Sequence, residues 1–205
     1  MLYYLLIFYN GGDFFTKLIS TIIIFSITIC ILFIPTMSVS SNLPEINGNQ
    51  IIFYGNSNYA WPVPGYTRIS SYFGKRNAPT SGASTYHKGI DIPAPEGTVL
   101  IASYNGKITF TGFLGGGGYT ITLTTPEGLK ISYCHVSPNY IVSVGDEISQ
   151  GQVIGTVGPK YVYGVAGNTY KDAEGRPTNG ATTGCHLHIG FRLDNKYVNP
   201  LDYLQ

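Results

Sequence analysis

His186 and His188 stand two residues apart in Gly184-Cys185-His186-Leu187-His188. Along a strand successive side chains alternate faces, so the two imidazoles point one way and Leu187 the other, with roughly 7 Å between neighbours on a face. Two imidazoles so placed make a metal ligand with a close neighbour. The chain has 4 histidines in all. The other two stand in His87-Lys88-Gly89-Ile90-Asp91 and Tyr133-Cys134-His135-Val136-Ser137, so every histidine falls in a setting that reads as chemistry.

The remainder suits strands rather than helices. With 17 Tyr, 26 Gly and 12 Pro against 11 % charged residues, the chain favours pleated surfaces and tight connections. Asn105-Gly106, between the apolar runs 98–103 and 107–111, predicts a two-residue hairpin. Thr125-Pro126-Glu127-Gly128 predicts a second between 119–124 and 130–135, and further turns fall at Val144-Gly145-Asp146 and Gln150-Gly151-Gln152. Without strand–helix alternation the fold class is all-β and antiparallel. Gly115-Gly116-Gly117-Gly118 is not a phosphate loop, which must open a helix; Tyr119 to Leu123 continues as a strand. It reads as a hairpin loop at the rim of a cleft. Residues 159–183 form a long loop with Tyr161, Tyr163 and Tyr170, and loops of that length are usually functional or disordered.

A chain of 205 residues holds one compact domain and an appendage. Residues 18–44 carry no charge and 18–34 are almost wholly apolar, enough to cross a bilayer as a helix. The stretch reads as a membrane anchor or a long signal segment, because a small β domain has nowhere to bury a helix apolar all round. Lys17 on its flank favours the N-terminus inside and the rest exported. Ser38-Val39-Ser40 suits signal peptidase, so anchored and cleaved forms both stay open; the bulky Ile29 before Cys30 argues against a lipoprotein. Residues 1–36 are thus the anchor or signal, 37–60 a polar linker and 61–205 the folded domain. A net charge of +1 spread along the chain excludes a nucleic-acid partner. Its 3 cysteines make no disulfide framework.

On one strand His87 and Asp91 share a parity, while Ile90 and Ile92 face a core. Adding His188 makes two imidazoles and a carboxylate, which leave one position of a tetrahedral zinc open, the catalytic arrangement. If His135 and His186 converge from neighbouring strands, alternation places Cys134 and Cys185 together behind the site, where a disulfide and two free thiols are both compatible.

His87-x-x-x-Asp91, Tyr133-x-His135 and His186-x-His188, in this order, resemble the LytM/lysostaphin-type zinc metallopeptidases, the M23 peptidoglycan endopeptidases. The resemblance runs from Trp61 to Leu204 and takes in Ser71-Tyr72-Phe73-Gly74-x-Arg76. It implies a Zn2+ ion held by His87, Asp91 and His188, with His135 and His186 as an unligated catalytic pair. It also implies a compact, monomeric antiparallel domain with a narrow groove for the peptide part of peptidoglycan. His186 is then the general base, and His135 steadies the oxyanion or passes a proton to the leaving amine. Two departures stand out: residues 161–182 replace a short Gly/Ser turn, and Cys185 stands where Pro or Ala is common. A non-catalytic, wall-binding or hydrolase-regulating scaffold of the same fold would be expected to have lost a ligand or catalytic histidine, and none is missing. A lipoyl- or biotinyl-type carrier, whose turns Pro95-Glu96-Gly97 and Val144-Gly145-Asp146 resemble, needs a lysine at a hairpin tip; Lys107 only flanks Asn105-Gly106.

Overall fold

The computed structural model describes residues 45–47, 50–52, 59–80 and 82–204. The apolar segment 18–34 and most of the linker therefore lie outside the described residues. Among those described, no helix is long and apolar enough to cross a membrane.

Among the described residues thirteen strands appear, in the order β1 (Glu45–Asn47), β2 (Gln50–Ile52), β3 (Gly74–Lys75), β4 (Tyr86–His87), β5 (Ile90–Pro93), β6 (Val99–Ile101) and β7 (Gly106–Phe113). They continue as β8 (Tyr119–Thr124), β9 (Lys130–Cys134), β10 (Glu147–Ile148), β11 (Val153–Thr156), β12 (His186–Leu193) and β13 (Lys196–Val198). The only helical pieces among the described residues are two three-residue 3-10 turns, Gly115–Gly117 and Pro200–Asp202. The domain is antiparallel and all-β, as the turn-rich composition predicts.

The main sheet runs β10-β7-β8-β9-β12-β13, and β5 also pairs with β12. The long β12 is its organising strand. One edge of β12 pairs with β9, while the other takes β5 along its first half and β13 along its second. Leu187, Ile189 and Phe191 point into the core with no exposure, and meet Ile90, Ile92, Ile131 and Tyr133 there. His186 and His188 occupy the opposite parity. Slipping β12 by one residue would turn those three apolar side chains outward, at about 1.5–3 kcal/mol each, so core burial locks the two histidines onto the outer face.

The β8–β9 hairpin forms where the Thr125-Pro126-Glu127-Gly128 turn predicts it. The Asn105-Gly106 hairpin does not. β6 pairs with β11, whereas β7 pairs with β8 and β10, so the two runs diverge into different sheets. Pairing β6 with β11 buries Leu100, Ile101 and Ile154 completely, and that gain outweighs a favourable local turn. Asn105 instead accepts a hydrogen bond from the Gln150 backbone N–H at 2.8 Å. The Gly115–Gly118 run closes the β7–β8 hairpin, with Gly116 and Gly117 on the wall of a cleft.

Candidate metal centre

Asp91 lies directly opposite His188 in the β5–β12 register. His87 arrives by another route than strand parity: it sits on β4, paired with Gly74 of β3, and the chain breaks at Lys88-Gly89 before β5 begins. That break passes against β12 so closely that a Cβ on Gly89 would stand 2.2 Å from the Ile189 carbonyl oxygen. Only glycine fits there, and the tight crossing delivers His87 to the face that Asp91 already occupies.

The three donor atoms converge. His188 Nδ1 is 2.8 Å from Asp91 Oδ1, His87 Nε2 is 3.1 Å from the same oxygen, and the two ring nitrogens stand 2.9 Å apart. A tetrahedral ion with bonds of about 2.0–2.1 Å sets its donors roughly 3.3 Å apart, so each side of this triangle is within about half an ångström of what zinc requires. His87 Nδ1 lies 2.9 Å from the Tyr72 carbonyl oxygen, which can only accept. Nδ1 therefore carries the proton, and Nε2 presents its lone pair to the cluster. His87 Nε2, Asp91 Oδ1 and His188 Nδ1 in its unprotonated form offer three donors to one point, so the donor set fits a divalent metal.

The surroundings hold the carboxylate. Arg76 Nη1 donates to Asp91 Oδ2 at 3.1 Å and to Ser71 Oγ at 2.6 Å, leaving Oδ1 for the cluster. Burial pushes the Asp91 carboxyl up, but the imidazoles of His186, His188 and His87 outweigh it and hold the group well below the usual carboxylate range. Burial lowers the pKa of His188, with Asp91 opposing it.

The other two histidines join the same cleft, which has a volume of about 790 Å3. His186 Nε2 is 3.5 Å from Asp91 Oδ1, and the His135 and His186 ring centroids are 4.7 Å apart. Each ring is oriented by a backbone acceptor: His135 Nδ1 donates to the Asn179 carbonyl at 2.6 Å, and His186 Nδ1 to that of Gly184 at 2.8 Å. Both therefore present Nε2 as the free atom. Burial pushes the His135 imidazolium well down, and the nearby His186 and His188 add to the shift.

His135 does not follow strand alternation. Its φ is +59°, in the left-handed region, a cost of about 1–2 kcal/mol for a residue with a Cβ. Three hydrogen bonds of the neighbouring backbone hold it there: His135 N–H to Gly117 O, Val136 N–H to Tyr119 O and Gly158 N–H to His135 O, at 2.8, 3.0 and 2.9 Å. This corrects the placement expected for the cysteines. Cys134 pairs directly with His188 and so shares its face, instead of lying behind the site. Because alternation stops at Cys134, consecutive residues Cys134 and His135 both reach the cleft. Cys134 and Cys185 are free thiols that line it, with no bridge between them. Burial raises the Cys134 pKa to about 11, which leaves it a neutral, weakly nucleophilic group.

Composition and motif spacing did not single out Asn179. This fully buried residue sits in the long 159–183 loop. Besides holding His135 through its carbonyl, it accepts from Tyr119 N–H through Oδ1 at 2.8 Å and donates from Nδ2 to the Val136 carbonyl at 3.1 Å. Gly118 makes room: with φ +63°, a Cβ on it would stand 2.3 Å from Asn179 Oδ1. The only sequence signals for Asn179 were the unusual length of its loop and the unexplained glycine run opposite.

Residues 85–200 match the model of Peptidase family M23. The chain belongs to that family. The chain is 35 % identical over 136 residues to the DD-carboxypeptidase/endopeptidase Mpg of Neisseria meningitidis serogroup B, a match covering 66 % of this chain but 27 % of the relative. Among solved structures, the lysostaphin catalytic domain of Staphylococcus simulans has a TM-score of 0.53 at 27 % identity, with 67 % of this chain and 91 % of that chain covered. A zinc-containing peptidase from Vibrio cholerae has a TM-score of 0.53 at 25 % identity, with 68 % and 37 % covered.

Proposed function

We propose that this chain is a zinc-dependent endopeptidase that hydrolyses peptide bonds in bacterial peptidoglycan, with His87, Asp91 and His188 holding the ion. Membership of M23 supports a peptidase. The observation that carries the reading further is the triangle of donor atoms beside two imidazoles whose free Nε2 atoms share one cleft.

Bound there, zinc supplies Lewis-acid polarisation of a peptide carbonyl and lowers the pKa of a water molecule. The chain's own residues move the protons. His186 takes the proton of the attacking water at Nε2, since Nδ1 is committed to Gly184. His135, kept neutral by burial, stands close enough to share in returning a proton to the leaving amine or to steady the oxyanion once protonated. A wall substrate, together with the uncharged stretch 18–44, supports an exported enzyme, anchored or released after cleavage.

The test is digestion of purified cell walls by the full chain, with zinc and with a chelator, and identification of the released muropeptides by mass. Zinc-dependent release at one type of peptide bond is expected. Intact walls after incubation with zinc-loaded protein would overturn the reading.

A further inference from the structure

Among the described residues one cleft-lining cation, Lys88, and two on neighbouring strands, Arg192 and Lys130, have no acidic partner. Lys88, between the His87 and Asp91 positions, lines the cleft and places Nζ 4.9 Å from the centre of the Tyr197 ring. The Arg192 guanidinium lies 5.9 Å from the same ring, and Lys130 stands directly opposite Arg192 in the β9–β12 register. Like charges directly opposed on neighbouring strands are unfavourable. Among the described residues no carboxylate lies within 4.0 Å of any of the three, whereas Lys107 one strand further on is paired with Glu147 at 2.8 Å. The charged groups lining the cleft are Arg76, Lys88 and Asp91, and Arg76 is already spent on Asp91. Lys88 is thus the cleft cation left to meet a ligand. Tyr197, 42 % exposed, forms a flat floor beside it.

We propose that Lys88, backed by Arg192 and with Tyr197 as its floor, is a carboxylate-reading subsite, and that the preferred peptide bears a free carboxylate next to the scissile bond. This rests on the peptidase reading above and narrows its substrate class. Lys88 lines the same cleft as His87, Asp91 and His188, so an anion on its ammonium holds the adjoining peptide in that cleft. The strand register supplies the field: Arg192 and Lys130 share the parity of His188, and their repulsion falls when an anion arrives. Charge pairing of this exposed kind changes affinity modestly and weakens with salt.

The probes are wall-derived stem peptides with free carboxylates and the same peptides amidated with ammonia. Binding to the zinc-loaded full chain is measured by calorimetry at low and at physiological salt. Amidation should weaken binding about three- to tenfold at low salt. Lys88→Met should remove most of that discrimination, and Lys88→Arg should keep it. Equal binding of both peptides, or undiminished discrimination in Lys88→Met at unchanged zinc content, would overturn the subsite. Cleavage of the same peptides separates the two readings. Discrimination in binding without hydrolysis keeps the subsite and defeats the peptidase; equal hydrolysis of both peptides does the reverse.

Discussion

Asp91 and His188 face each other across β5 and β12, whose register is set by Ile90, Ile92, Leu187 and Ile189 beneath them. His135 reaches the same cleft from a left-handed residue whose ring is tied to a carbonyl in the 159–183 loop. The two parts of the site thus draw on different sources of order. The Asp91–His188 pair inherits the rigidity of the core, since moving either means exposing buried apolar side chains. His135 depends on loop hydrogen bonds, which are individually weaker and can be removed one at a time, while His186 shares β12 with His188 and takes only its ring orientation from the Gly184 carbonyl. Metal binding and catalysis should therefore be separable by mutation.

The largest effect should come from the donor triangle. Asp91→Ala or His188→Ala should abolish activity and most zinc binding, since two remaining ligands hold the ion poorly against water. Metal analysis after dialysis checks this, and full zinc occupancy in either variant would remove that residue from the ligand set. Next come His135→Ala and His186→Ala, expected to keep the metal and lose about 100- to 10,000-fold in turnover. If either variant lost zinc as completely as Asp91→Ala, the proposed separation between the two parts would be gone.

Asn179→Ala sharpens the comparison further. It leaves the Tyr119 N–H and the Val136 carbonyl without their partner, a cost of about 2–4 kcal/mol in stability for two such groups. It should also lower turnover through misplacement of His135 while zinc affinity stays near wild type. Urea unfolding together with zinc titration measures both, and an unchanged unfolding midpoint would show that the loop does not hold this part of the site.

The smallest effect is that of pH on the metal-free protein. His135 and His188 have folded pKa values below the ordinary histidine value, chiefly because burial disfavours the imidazolium. Between the folded values and about 6.5 the unfolded chain binds more protons than the folded one, so stability is full above that range and is lost as pH falls through it. The urea midpoint of the chelated protein should drop between pH 7.5 and 5.5. A flat or rising midpoint would show that neither ring is held neutral by its surroundings.

The sequence by itself determined the fold class and the pairing of His186 and His188 on one face of a strand. Its His-x-His spacing, flanked by apolar residues of opposite parity, could serve only one face of a strand. Its Gly, Pro and aromatic content left no place for long helices in the folded domain. What only the tertiary structure decided is how the other parts arrive. His87 and Asp91 belong to separate strands joined by a crossing that only Gly89 permits, although the sequence read them as one element. Cys134 faces the site through its pairing with His188, His135 joins it there because alternation stops at Cys134, and Asn105-Gly106 yields to the pairing of β6 with β11. Spacing and periodicity record forces between near neighbours along the chain. Left-handed turns, close crossings and loop anchors such as Asn179 are fixed by residues distant along the chain, as the bond from His135 to Asn179 spans 44 positions.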